Sequence, residues 1–257
     1  MISLANLKHP FTVHIFIRQS AFLLLHSRFV FISLRPIRLQ FIDLYYRATA
    51  MLLSVLYING ITAEAMTGAL SAGKQKMDWF GVMLVASATA IGGGTVRDIL
   101  LGHYPLGWVE NPQYLAITCI AGVITTGLAK WVIKLKGLFI RLDALGLIVF
   151  SIIGTKVAMT MGLHPMICMV SALVTGVFGG LLRDLICRQT PLVLHEELYA
   201  SVALVASGLY LGLLELGIND VTATIVTLVV GYLLRMAAVR FKWRLPSFQL
   251  DPESSVH

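Results

Sequence analysis

Ile91-Gly-Gly-Gly-Thr-Val-Arg-Asp-Ile-Leu100 returns 86 residues later (177 less 91) as Val177-Phe-Gly-Gly-Leu-Leu-Arg-Asp-Leu-Ile186. At the same offset Gly93 matches Gly179, Gly94 matches Gly180, Arg97 matches Arg183 and Asp98 matches Asp184. Further along, Pro105 matches Pro191, Glu110 matches Glu196 and Gly122 matches Gly208. Upstream, Ala72-Gly73-Lys74 resembles Gly154-Thr155-Lys156 at an offset of 82 (154 less 72). A single GGxxRD would be weak evidence, but two at matching places in successive units point to internal duplication.

The surroundings of both copies are apolar. Seven apolar segments follow one another from Met51, at about 51–73, 79–101, 113–133, 142–161, 165–187, 198–216 and 220–240. A helix of about 20 residues covers the ~30 Å hydrocarbon core, so each segment is long enough to cross once. No alternation of period two in ten-residue units argues for a barrel. Each duplicated unit holds three segments, an odd number, so the second copy must enter the membrane upside down. The expected fold is an all-α membrane protein of seven transmembrane helices: two inverted three-helix repeats, 51–138 and 139–217, a seventh helix in 218–244 and a polar tail, 245–257.

Composition agrees. Of 257 residues, 57% are apolar and 13% charged, half the charge of an ordinary soluble domain, and the mean hydropathy is +0.82. The net charge of +7 is unevenly placed: residues 1 to 50 hold Lys8, Arg18, Arg28, Arg35, Arg38 and Arg47 against Asp43, a net of +5 (6 less 1). That segment reads as a surface helix, a targeting segment or, the preferred reading, sequence upstream of the true start, with Met51 opening the first clean span. In the body, Lys74, Lys76, Lys130, Lys134, Lys136, Arg141, Arg188, Arg240, Lys242 and Arg244 fall in connections on one face. His103, Glu110, His164, Glu215 and Asp220 mark the other. The excess of Lys and Arg puts the first face, with the carboxyl end, in the cytoplasm. The basic balance is therefore a topology signal and not one for nucleic acid.

Consecutive glycines deep in a spanning helix cost about 1 kcal/mol each against Ala in water. They allow either close helix contact or a break in the helix. The ionisable pair that follows within a turn favours the break, because an Arg or Asp inside a span costs about 2.5 to 3.5 kcal/mol on insertion scales and marks a pathway or a specific partner. Adjacent side chains diverge by about 100°, so the charges are expected to pair across the repeat, Arg97 with Asp184 and Arg183 with Asp98, or else to cap exposed helix ends. Arg183 and Arg235 also lie near enough to a membrane face to snorkel. Lys156, Glu64 and Asp143 are further ionisable residues within spans, Asp143 being also a candidate cap for the fourth helix.

Other signals are weak. Cys119, Cys168 and Cys187 have no metal-type spacing, and His195-Glu196-Glu197 lacks the geometry of a zinc motif. Gly92-Gly93-Gly94 follows no strand and is no dinucleotide loop. No nucleophile with its base is evident, so neither a catalytic site nor a cofactor or metal is expected.

IGGGTVRDILLG and VFGGLLRDLICRQTPLVL, with DWFGVMLVASATA before the first and LDALGLIVFSIIGTK opening the second unit, resemble the prokaryotic trimeric intracellular cation channels. Bacterial members are also catalogued as a glycine transporter family. The resemblance covers about Leu52 to Arg240; residues 1 to 47 have no counterpart in it. It implies a seven-helix protomer, a homotrimer with an ion pathway in each protomer, and helices two and five broken at Gly92, Gly93, Gly94, Gly179 and Gly180. It sets Arg97, Asp98, Arg183 and Asp184 beside the pathway. Lys156 falls in the fourth helix, where animal members bind a phosphoinositide; that ligand is not carried over, because the full basic pair is not evident here. Two functions follow: a channel passing potassium and other monovalent cations such as sodium with weak selectivity, or a transporter of a small zwitterionic amino acid, glycine first. A structural scaffold would explain the spans but not the buried charged pairs. The expected place is the bacterial inner membrane.

Overall fold

The computed structural model describes residues 35–128, 137–195 and 198–243. Segment 1–34, Lys130, Lys134, Lys136, Glu196, Glu197 and the tail from Arg244 lie outside the described residues. Among the described residues there are nine helices and no strand: α1 Arg35–Lys74, α2 Trp79–Leu101, α3 Gly107–Glu110, α4 Gln113–Gly127, α5 Leu138–Thr160, α6 Pro165–Ile186, α7 Leu192–His195, α8 Tyr199–Glu215 and α9 Asp220–Phe241.

Four helices, α2, α5, α6 and α9, are long and apolar enough to cross a membrane; α4 and α8 are apolar but only 15 and 17 residues long. The chain is a multi-pass membrane protein. The first helix departs from expectation. It has 40 residues and passes Met51 without a boundary. Pro36 lies in its first turn, where proline is tolerated, and no Gly or Pro recurs before Gly60.

The ends are set by local chemistry. The Asp78 side chain accepts from the Gly81 amide at 2.7 Å and caps α2, which ends on Gly102 with a left-handed φ of 66°. Pro165 opens α6, and Asn219 caps α9 through the Thr222 amide at 2.8 Å. Helices α1, α2, α5 and α6 form the centre, α4 packs on α1 and α2, and α8 and α9 pack on each other and on α5. Small residues allow that approach. Ala65, Ala86, Ala90 and Ala144 are buried, and Thr and Ser hydroxyls bond inside the bundle, as Ser87 with Thr118 at 3.0 Å and Thr155 with Ser207 at 2.7 Å.

The central helices are not broken. Both α2 and α6 run as continuous α-helix through Gly92-Gly93-Gly94 and Gly179-Gly180, which corrects the expected breaks. The glycines serve the other use, close contact. A Cβ on Gly93 would strike the Thr175 carbonyl oxygen, and a Cβ on Gly179 would strike the Thr89 carbonyl oxygen. Pairs 89 with 179 and 93 with 175 run in opposite directions, so the two helices cross antiparallel with nothing between their backbones.

Candidate functional site

The crossing is reciprocal at the offset of 86, since Thr89 corresponds to Thr175 and Gly93 to Gly179. The same offset governs the flanking helices. Gly68 abuts the Thr89 Oγ1 and Val85 carbonyl of α2, and Gly154 abuts the Thr175 Oγ1 and Ser171 carbonyl of α6. Gly60 of α1 faces Phe150, and Gly146 of α5 faces the Glu64 carboxylate. The first helices therefore share the register of 86, not the 82 read from the Gly-Lys similarity. Gly60 with Gly146 and Gly68 with Gly154 were the overlooked signal.

The second glycine of each motif faces its own arginine. The nearest atom to a Cβ built on Gly94 is Arg97 Nη2, at 3.7 Å, and Gly180 would meet Tyr199 Oη at 3.3 Å and Arg183 Nη2 at 3.5 Å. Each guanidinium folds back along its helix into ordinary contact with the position three residues earlier. That fold-back brings it to the neighbouring carboxylate. Arg97 donates from Nε and Nη2 to Asp98 Oδ1 at 2.9 and 2.7 Å, and Arg183 Nε donates to Asp184 Oδ1 at 2.8 Å. The expected cross-repeat pairs are corrected: each motif pairs with itself. The 100° divergence applies at Cβ, and the long arginine stem swings through it.

Both aspartates also hold the turn that follows. The Gly107 amide donates to Asp98 Oδ2 at 3.4 Å and the Leu192 amide to Asp184 Oδ2 at 3.0 Å; these are the first residues of α3 and α7. Asp98 Oδ1 is also 3.1 Å from His103 Nδ1.

Around this shared frame the two ends differ. Near Arg97 and Asp98 a cavity of ≈ 20 Å³, room for one or two waters, is lined by Tyr57, Gly94, Thr95, Trp108, Phe150 and Thr175, among others. Tyr57 packs on Tyr114 at 4.5 Å and edge-on to Phe150 at 6.0 Å between centroids. The opposite end, marked by Lys74 over the Phe139 ring, is acidic. There Arg183 is fully buried at 0% exposure, lies 4.8 Å from the Phe139 centroid, and donates from Nη1 to Asp143 Oδ1 at 2.7 Å and Thr67 Oγ1 at 3.2 Å. Thr67 Oγ1 in turn donates to Glu64 Oε2 at 3.1 Å, and Glu64 is 3% exposed. Asp143 sits in the second turn of α5 and pairs with Arg183, so it does not cap that helix.

Three further expectations change. Arg183 does not snorkel, and neither does Arg235, which is 2% exposed with its guanidinium 4.7 Å from the Tyr199 centroid. Lys156 stands outside both clusters. Its Nζ bonds Asp220 Oδ1 at 2.8 Å and Oδ2 at 3.0 Å, Tyr210 donates to the same Asp220, and the ammonium lies 5.4 Å over the Tyr210 ring. These contacts join α5, α8 and α9 as a clamp.

The chain is similar to known proteins in sequence and in fold. The family described as "Glycine transporter" matches twice, at residues 54–130 and 140–215, two matches that begin 86 residues apart (140 less 54). The inner membrane protein YadS of Escherichia coli is 36% identical over 203 residues, covering 78% of this chain and 98% of its own length. The membrane protein YvgT of Bacillus subtilis is 36% identical over 201 residues, 77% of this chain and 98% of its own. Among solved structures, the trimeric intracellular cation channel orthologue of Rhodobacter sphaeroides superposes with a TM-score of 0.71 at 31% identity, covering 74% of this chain and 98% of its own. A prokaryotic TRIC channel crystallised in potassium chloride gives 0.70 at 30%, covering 76% and 100%. With its doubled, reciprocally packed GGxxRD helices, the chain belongs to the trimeric intracellular cation channel family, also described as a glycine transporter family.

Proposed function

We propose that this protein is a cation channel of the bacterial inner membrane, permeable to potassium with weak discrimination against sodium, and that ions pass through each protomer of a homotrimer. The reading includes seven crossings in two inverted units and a carboxyl end in the cytoplasm. One observation carries it. Two buried Arg–Asp pairs lie on either side of a helix crossing that is lined by glycine and backbone carbonyl, each pair about 6 Å along its helix from the crossing glycine. Glycines at that crossing put no side chain in the way, and parting the helices by a few ångström would expose the Thr89 and Thr175 carbonyls to a passing cation. Carbonyl oxygens replace hydration water around such ions. In the conformation described the helices touch, so conduction requires them to separate. Each arginine keeps its charge matched by its own aspartate and does not block a cation as a lone positive charge would.

A second reading, transport of a small zwitterionic amino acid such as glycine, is favoured by the description of the matching family and by the presence of both charge signs at each end of the path. Purified protein in liposomes separates the two. Unitary potassium currents without saturable uptake of labelled glycine are expected. Saturable uptake without unitary currents would reject the channel.

A further inference from the structure

The reciprocal packing makes each half of the molecule a control for the other. At the offset of 86, Phe150 of α5 corresponds to Glu64 of α1 (150 less 64) and Asp143 corresponds to Tyr57 (143 less 57). The correspondence is physical as well as numerical, because Phe150, together with Val149, packs over Gly60 where Glu64 packs over Gly146. One half fills this position with a phenyl ring and the other with a carboxylate. The frame therefore folds with an apolar side chain at that place, and packing alone does not call for a charge there.

The carboxylate at Glu64 is costly. Arg183 is committed to Asp143 and Asp184, so one buried cation serves three buried carboxylates, and among the described residues no cationic group lies within ion-pair distance of Glu64. Its side chain takes a hydrogen bond from Thr67 Oγ1, the hydroxyl that also accepts from Arg183 Nη1. A buried carboxylate without a cation is strongly unfavourable where a phenyl ring would gain from burial. A second observation belongs to the same cluster. Arg183 Nη2, on the fully buried guanidinium, has no acceptor among the described residues, which leaves a polar donor unused there.

We propose that Glu64 is the specificity-determining residue of the pathway: a carboxyl held without a cation while the helices touch, which carries negative charge, admitting cations and turning anions away, once they part and water reaches it. The inference rests on the channel reading. It assigns charge selection to one end of the path, the Glu64, Asp143, Asp184 and Arg183 cluster, while Tyr57 and Phe150 narrow the other end without adding charge. Asp143 and Asp184 are both bonded to Arg183 and anchor it, which leaves Glu64 as the carboxyl of the cluster with no ion pair of its own among the described residues.

The test is the reversal potential of the full-length protein in planar bilayers under a potassium chloride gradient. Three variants are compared: Glu64→Gln, Glu64→Asp and Glu215→Gln, the last removing an equal charge from an exposed site at the end of α8. Glu64→Gln is expected to lower the potassium-to-chloride permeability ratio by about fivefold or more, and the other two to keep it. An unchanged ratio in Glu64→Gln overturns the proposal, as does an equal fall in Glu215→Gln. Glu64→Asp, which keeps the charge, guards against a folding defect in the amide variant. A ratio lost in an Asp variant that elutes as the parent overturns the proposal too, because shape and not charge would then be responsible. Absence of current in the unmodified protein removes the channel reading itself, and the proposal with it, and is distinct from a conducting protein whose ratio ignores Glu64.

Discussion

Gly93 and Gly179 are the residues on which the centre of the molecule depends most directly. Each faces a backbone carbonyl, and a carbonyl has no rotamer with which to move away. Gly93→Ala and Gly179→Ala should each destabilise the protein by about 1–3 kcal/mol through overpacking. Gly212→Ala, in a helix where nothing lies near the added methyl, should be neutral or slightly stabilising, since Ala is the better helix former. Thermal unfolding in detergent checks the contrast; equal midpoints for all three variants would contradict the close crossing. The two glycines of each motif thus have different neighbours, one the backbone of the partner helix and one the returning arginine. The motif itself was legible in the sequence. The direction of the arginine was not, because the path of a long flexible side chain depends on what surrounds it.

Among the elements, the seventh apolar segment is α9, and its attachment explains Lys156. In sequence Lys156 is a charge inside a span and so a candidate for the pathway. In the structure it reaches Asp220 at the start of α9, with Tyr210 of α8 on the same carboxylate. The pair is only partly buried, so its contribution is modest, about 1 kcal/mol of coupling between Lys156→Met and Asp220→Asn in a double-mutant cycle. Strictly additive losses would show that the clamp holds nothing. The potassium-to-chloride ratio should be the same in Lys156→Met as in the parent, which separates the clamp from the charge cluster around Glu64. The unexpected length of α1 has a simpler cause: no helix-breaking residue stands between its first turn and Gly60.

For the whole molecule the testable matter is orientation. Lys76 and Arg240 are exposed at one end of the bundle, and His164 and Glu215 at the other. Single cysteines at these four positions, in a background without Cys119, Cys168 and Cys187, should react with an impermeant reagent in intact cells only at 164 and 215. Labelling at 76 and 240 in intact cells would invert the proposed topology. Membrane class, apolar segments and the duplication are written along the chain as hydropathy and spacing, which need no folded partner to be read. Whether glycines break a helix or let two helices touch is decided by what lies opposite them, and that is tertiary. So are the self-pairing of each Arg–Asp, the burial of Arg235, the clamp at Lys156 and the unequal filling of two equivalent sites by Glu64 and Phe150. Residues 86 apart in sequence become equivalent in space only when both halves have packed, and only then does one carboxylate stand out against its apolar counterpart.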